Sequence, residues 1–74
     1  MGRLSGLKYR DVAKKLRTFG FHFFREAKGS HEIWYNKDTE RYTTIPKHSG
    51  DMAEGTVRSI LKQAGVEVDD FLDS

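Results

Sequence analysis

Three histidines, His22, His31 and His48, are the side chains of this 74-residue sequence best suited to moving protons near neutral pH. An unperturbed imidazole titrates at about 6.5, close to the pH of a cell. His31 follows Gly29-Ser30, and His48 follows Pro46-Lys47. A glycine lets a phosphate approach the backbone closely, and a serine hydroxyl can hydrogen-bond a phosphate oxygen. The same pair also reads as a plain two-residue hairpin in which glycine only supplies a positive φ, and the local sequence favours that reading. Taken alone, His31 reads as a strand-edge or solvated residue, His22 as a solvent-facing strand residue and His48 as a loop residue. The three lack metal-type spacing and no acid is obviously placed with them, so neither a metal nor a cofactor is expected.

The charge is unevenly spread. All thirteen Lys and Arg lie at or before Lys62, whereas Glu67, Asp69, Asp70 and Asp73 crowd the tail. Up to Gly65 the thirteen cations face seven acids, a net of +6. A basic body with an acidic tail (66–74) suits a polyanionic partner, although solubility alone makes many small domains basic. The basic rows Arg10, Lys14, Arg17 and Arg58, Lys62 could grip phosphates or simply be solvated helix faces. With no cysteine there is no disulfide or thiolate zinc site, which fits a reducing compartment. No apolar run suits a signal peptide or approaches the roughly 18 residues of a membrane helix. The expectation is one soluble domain over residues 1–74, too small for a deep cavity, that binds its partner across a surface.

These residues must be positioned by short elements. Tyr9, Val12, Ala13, Leu16 and Phe19 fall at helical spacing, Asp11 and Lys15 can pair at i, i+4, and Gly20 is placed to end the helix. Three strands follow: Phe21 to Ala27, His31 to Asn36, and Arg41 to Ile45, halted by Pro46. Phe21, Phe23 and Ala27 share one face at a period of two. His31 shares parity with Ile33 and Tyr35, which puts it on the expected core face, at an edge or under the helices. Trp34 and Tyr42, of opposite parity to Ile33 and Ile45, are the aromatics expected to be exposed; such rings could stack bases or meet a partner protein. Val57, Ile60, Leu61 and Ala64 predict a second helix, closed by Gly65, and Val68 to Leu72 one further turn that docks Phe71 and Leu72. The predicted fold is α+β, in the order α-β-β-β-α. A three-stranded antiparallel sheet carries both helices on one face, as in a double-stranded-RNA-binding domain.

Three segments now stand in order: Gly20-Phe21 with Arg25 and Gly29-Ser30-His31; Ile45-Pro46-Lys47-His48; and Gly55-Thr56-Val57-Arg58-Ser59-Ile60-Leu61-Lys62-Gln63-Ala64-Gly65. Together they resemble the HicA family of toxins, whose pattern runs GF…R…GSH, P-x-H and GT-x-x-x-IL-x-QAG. The resemblance implies a ribosome-independent mRNA endoribonuclease of a type II toxin–antitoxin system, cytoplasmic in a bacterium or archaeon, restrained by a HicB-type antitoxin. It places the family's essential histidine on His31.

On that reading the RNA 2′-hydroxyl attacks the adjacent phosphorus, with His31 as metal-independent acid/base. His48 or water takes the second proton-transfer role. Arg25, Lys28, Lys47 and Arg58, by motif proximity, would stabilise charge on the phosphate. Gly29, Ser30, His48 and Lys62 complete the expected RNA contacts. The alternative is a non-catalytic RNA-binding module of the same fold, and a third is a purely structural interaction protein. Oligomeric state is open.

Overall fold

Helix α1 (Tyr9–Thr18) starts where the Asp11 carboxylate turns back to accept the Lys8 N–H at 3.0 Å. That bond satisfies an amide the first helical turn leaves without a partner. The Asp11–Lys15 pair expected on its surface is therefore replaced. Lys15 instead reaches the Ser74 carbonyl at 3.0 Å and lies 5.6 Å above the Phe71 ring. Gly20, at φ +95, turns the chain out of the helix, and its bare α-carbon packs on Asn36, whose amide would stand only 3.3 Å from an added Cβ.

The computed structural model describes residues 3–47 and 50–74. After α1 come β1 (Phe21–Ala27), β2 (His31–Asn36), β3 (Arg41–Pro46), α2 (Glu54–Ala64) and α3 (Val68–Asp73). The strands form one antiparallel sheet in sequence order. The α+β, double-stranded-RNA-binding-domain-like reading therefore holds, with the tail making a short third helix. Phe71 from α3 is fully buried and Leu72 packs beside the core. No helix among the described residues is long and apolar enough to cross a membrane.

The core joins Val12 and Leu16 of α1, Val57, Ile60 and Leu61 of α2, and Phe21, Trp34 and Ile45 of the sheet. This overturns the expected facing of β2. Trp34 is 1% exposed, and Glu32, Trp34 and Asn36 face the helices while His31, Ile33 and Tyr35 face away. Two polar residues of β2 can occupy the core side because each finds hydrogen-bond partners there. Asn36 donates to the Phe19 carbonyl at 2.8 Å and accepts the Asp38 N–H at 2.9 Å. Glu32 accepts from the Tyr9 hydroxyl and, at 3.0 Å, from Trp34 Nε1. Tyr42, 50% exposed, lies on the open face as expected.

Of the expected common face of Phe21, Phe23 and Ala27, the first two hold, opposite the helix-facing Asn36 and Trp34, and Ala27 does not. A β-bulge between Phe23 and Arg25 breaks the period of two. Phe21 is buried and Phe23 meets Trp34 edge-on at the sheet margin, 49% exposed. Ala27, beyond the bulge, stands opposite His31 on the open face.

Candidate active site

The connection between β1 and β2 is Lys28-Gly29-Ser30, one residue longer than a two-residue hairpin. Gly29 has φ +70 and Ser30 φ +61. For serine the left-handed region costs about 1–2 kcal/mol, so the turn holds strain directly before His31. A Cβ on Gly29 would meet His31 Nδ1 at an ordinary 3.5 Å, so glycine serves here for its φ rather than for room.

This turn carries the Lys28 carbonyl back to His31 Nδ1, 3.0 Å away. A carbonyl only accepts, so Nδ1 carries the hydrogen, and in the neutral ring Nε2 holds the lone pair. His31 is exposed on the helix-free face of the sheet. An imidazole fixed through one nitrogen, with the other able to accept, is the arrangement a proton acceptor needs.

The second motif arrives by backbone pairing. Lys47 N–H donates to the Ser30 carbonyl at 2.8 Å, extending the β2–β3 ladder to the turn. Ladder bonds in an antiparallel pair fall on alternate residue pairs. Pro46, opposite His31, therefore stands where no N–H is required by β2. Lys28, Gly29, Ser30, His31 and Lys47 are thus gathered at one end of the sheet. Arg25 stands opposite Ile33 in the register and donates to the Glu26 carbonyl at 3.2 Å. His48 lies outside the described residues.

Arg58 and Lys62 belong elsewhere. They line a surface groove with Arg41, Leu61 and Gly65. Arg58 is paired with Glu54 at 3.2 Å. Arg41 and Pro46 are opposite ends of β3, about 17 Å apart at the usual strand rise, so this groove reaches the end of the sheet remote from His31. His22, opposite Tyr35, is exposed on the open face. Among the described residues no three His, Cys, Asp or Glu side chains are grouped to hold a metal ion.

Two residues supporting the site were not singled out from the sequence. Glu32, next to His31 but facing the helices, is 6% exposed and ties β2 to α1 through Tyr9. Its carboxylate sits in a row with Trp34 and the Arg17 guanidinium, which lies 5.1 Å from that ring. Gln63 is the other. Its Oε1 accepts from the Thr44 N–H at 3.0 Å and the Thr43 hydroxyl at 3.2 Å, seating α2 along β3. The QAG run contained that residue, but nothing local marked its partner.

Burial, then the hydrogen bond to Glu32, push the Tyr9 phenol up to about 12. Folding thus favours the neutral phenol. The associated stability is complete below about pH 10, where the unfolded phenol is also protonated, and is lost as pH climbs from about 10 toward 12. Urea midpoints measured across that range should fall more steeply for the wild type than for Tyr9→Phe, which has no phenol to ionise.

A family model described as HicA toxin of bacterial toxin-antitoxin matches residues 9–66, which hold every element from α1 through α2. A search of curated proteins returned no match.

Proposed function

Because this chain belongs to the HicA family, toxins of bacterial toxin–antitoxin systems that come with an antitoxin partner, we propose that it is an mRNA endoribonuclease using His31 as its acid/base, independent of metal and ribosome. A HicB-type antitoxin would restrain it in the bacterial or archaeal cytoplasm. The observation that carries this reading is the exposed His31 ring, held through Nδ1 by the Lys28 carbonyl with Nε2 left to accept a proton.

Nε2 takes the proton of an RNA 2′-hydroxyl as that oxygen attacks the adjacent phosphorus. The bond from phosphorus to the 5′-oxygen breaks, and the departing oxygen takes a proton from water or from His48. Proton transfer of this kind contributes about 10²–10⁴-fold in rate. Lys28 and Lys47, gathered at the same end of the sheet, supply positive charge for the phosphate oxygens. Arg25 on the same face extends that field along the strand. Arg58 and Lys62 are remote from this centre and contribute, on this reading, to holding RNA rather than to the reaction.

Purified protein mixed with a synthetic RNA should shorten it in excess EDTA, read on a denaturing gel. RNA that is bound but left whole would leave the non-catalytic module in place of the enzyme. Cleavage lost in EDTA and restored by zinc or manganese would overturn the metal-independent mechanism.

A further inference from the structure

The helix-free face of the sheet carries three aromatic rings in mutual contact. Tyr35 and Tyr42 have centroids 4.5 Å apart and a 35° tilt. Phe24 packs edge-on against Tyr42 at 5.6 Å and, tilted by 52°, against Tyr35 at 5.9 Å. Phe24 reaches this face by the ordinary alternation after Phe23, and the bulge that follows keeps Arg25, opposite Ile33, on the same face. Although packed together, Phe24 remains 52% and Tyr42 50% exposed.

We propose that this cluster is a stacking platform for unpaired bases, so that the chain takes its RNA as a single strand laid across the open sheet toward His31. The inference rests on the RNA-cleavage reading above and adds the surface that holds the substrate and the form in which it is held. Every base has a π-face, so aromatic stacking grips a strand with little regard to sequence. A duplex hides those faces inside its own stack and cannot use the platform. The rings already brace one another, so binding orders little that is free.

Charge on the face fits a nucleic acid. The acids of β1 and β2, Glu26 and Glu32, pair with each other at positions facing the helices, while Arg25 shares the open face with the rings. Lys28 and Lys47 flank the His31 end. His31 and Tyr35 are four residues apart on β2, about 13 Å, a distance that a few nucleotides cover. An apolar protein partner would also cover aromatic rings, but it gives no reason for cations and an oriented imidazole beside them.

The test is fluorescence anisotropy with a short, labelled 2′-O-methyl RNA of mixed sequence, which lacks the attacking hydroxyl and stays intact. Its perfect duplex is the control. The single strand should bind more tightly than the duplex. Tyr42→Ala and Phe24→Ala should each weaken it roughly 5- to 100-fold, with melting curves confirming the fold, and Tyr42→Phe should bind like the wild type. Equal or tighter binding of the duplex, or alanine variants with unchanged affinity, would overturn the platform. Variants that keep RNA affinity but lose a co-purified antitoxin would assign the face to protein docking instead, and also overturn it. Stacking-dependent binding without any cleavage of unmodified RNA would remove the nuclease reading and leave the platform standing.

Discussion

His31→Ala is expected to fold like the wild type and to cut RNA about 10²–10⁴-fold more slowly, the whole contribution of positioned proton transfer. The fold should survive because the ring is exposed and its bond is to a turn carbonyl, with no core contact to lose. Single-turnover rates on a synthetic RNA, with melting curves alongside, give both quantities. In cells, expression of the wild type should arrest growth and deplete mRNA, whereas the variant should do neither. A variant within a few-fold of wild-type activity would remove His31 from the reaction. One that unfolds would show that the ring serves the structure.

The largest stability loss should come from the residue next to it. Glu32→Ala removes the acceptor shared by the Tyr9 hydroxyl and Trp34 Nε1. Hydrogen bonds to charged groups contribute about 1.5–3 kcal/mol each, and stranding two donors near the core adds a desolvation cost. Taking a loss of about 3 kcal/mol, a domain of this size should melt roughly 12–24 °C lower. Calorimetry on Glu32→Ala, Tyr9→Phe and the double variant closes the cycle. The double variant should cost clearly less than the two singles combined, because Tyr9 and Glu32 stabilise the fold through one shared bond. Strict additivity would show that they do not. Since β2 carries both Glu32 and His31, this variant also tests whether loosening the strand blunts activity before it unfolds the domain.

The elements were legible because their signals are local. Gly20 and Gly65 mark helix ends, the turn residues mark the hairpins, and the 3.6-residue stripe of α2 is complete. The facing of β2 was not legible. Alternation in His-Glu-Ile-Trp-Tyr-Asn puts Ile and Tyr on one parity and Trp on the other, so a count of apolar residues buries the wrong side. What decides it is pairing distant in sequence: Tyr9 with Glu32, and Asn36 with the end of α1. Those partners let two polar residues ride beneath the helices beside Trp34. The bulge was hidden for a similar reason, since Phe23 and Phe24 are equally good strand residues and only the register distinguishes them.

The candidate site was partly legible. Gly-Ser-His is contiguous, and its turn geometry follows from its residues. That Lys47 would lie against Ser30 depends on the register of β2 with β3, which no local pattern fixes. Arg58 was set beside His31 by the order of the motifs along the chain, and Lys62 was expected among the RNA contacts. They line the groove beside Arg41 instead.

The two borders of the sheet have a bearing on self-association. Gln63 already occupies the outward amide of Thr44 on β3, and the kink at Phe24 bends the free margin of β1. A strand arriving from another molecule would have to evict a side chain on one side or follow a bend on the other. Copies of this small, aromatic-faced domain are thereby discouraged from zipping together into fibrils while the open face stays available to ligand.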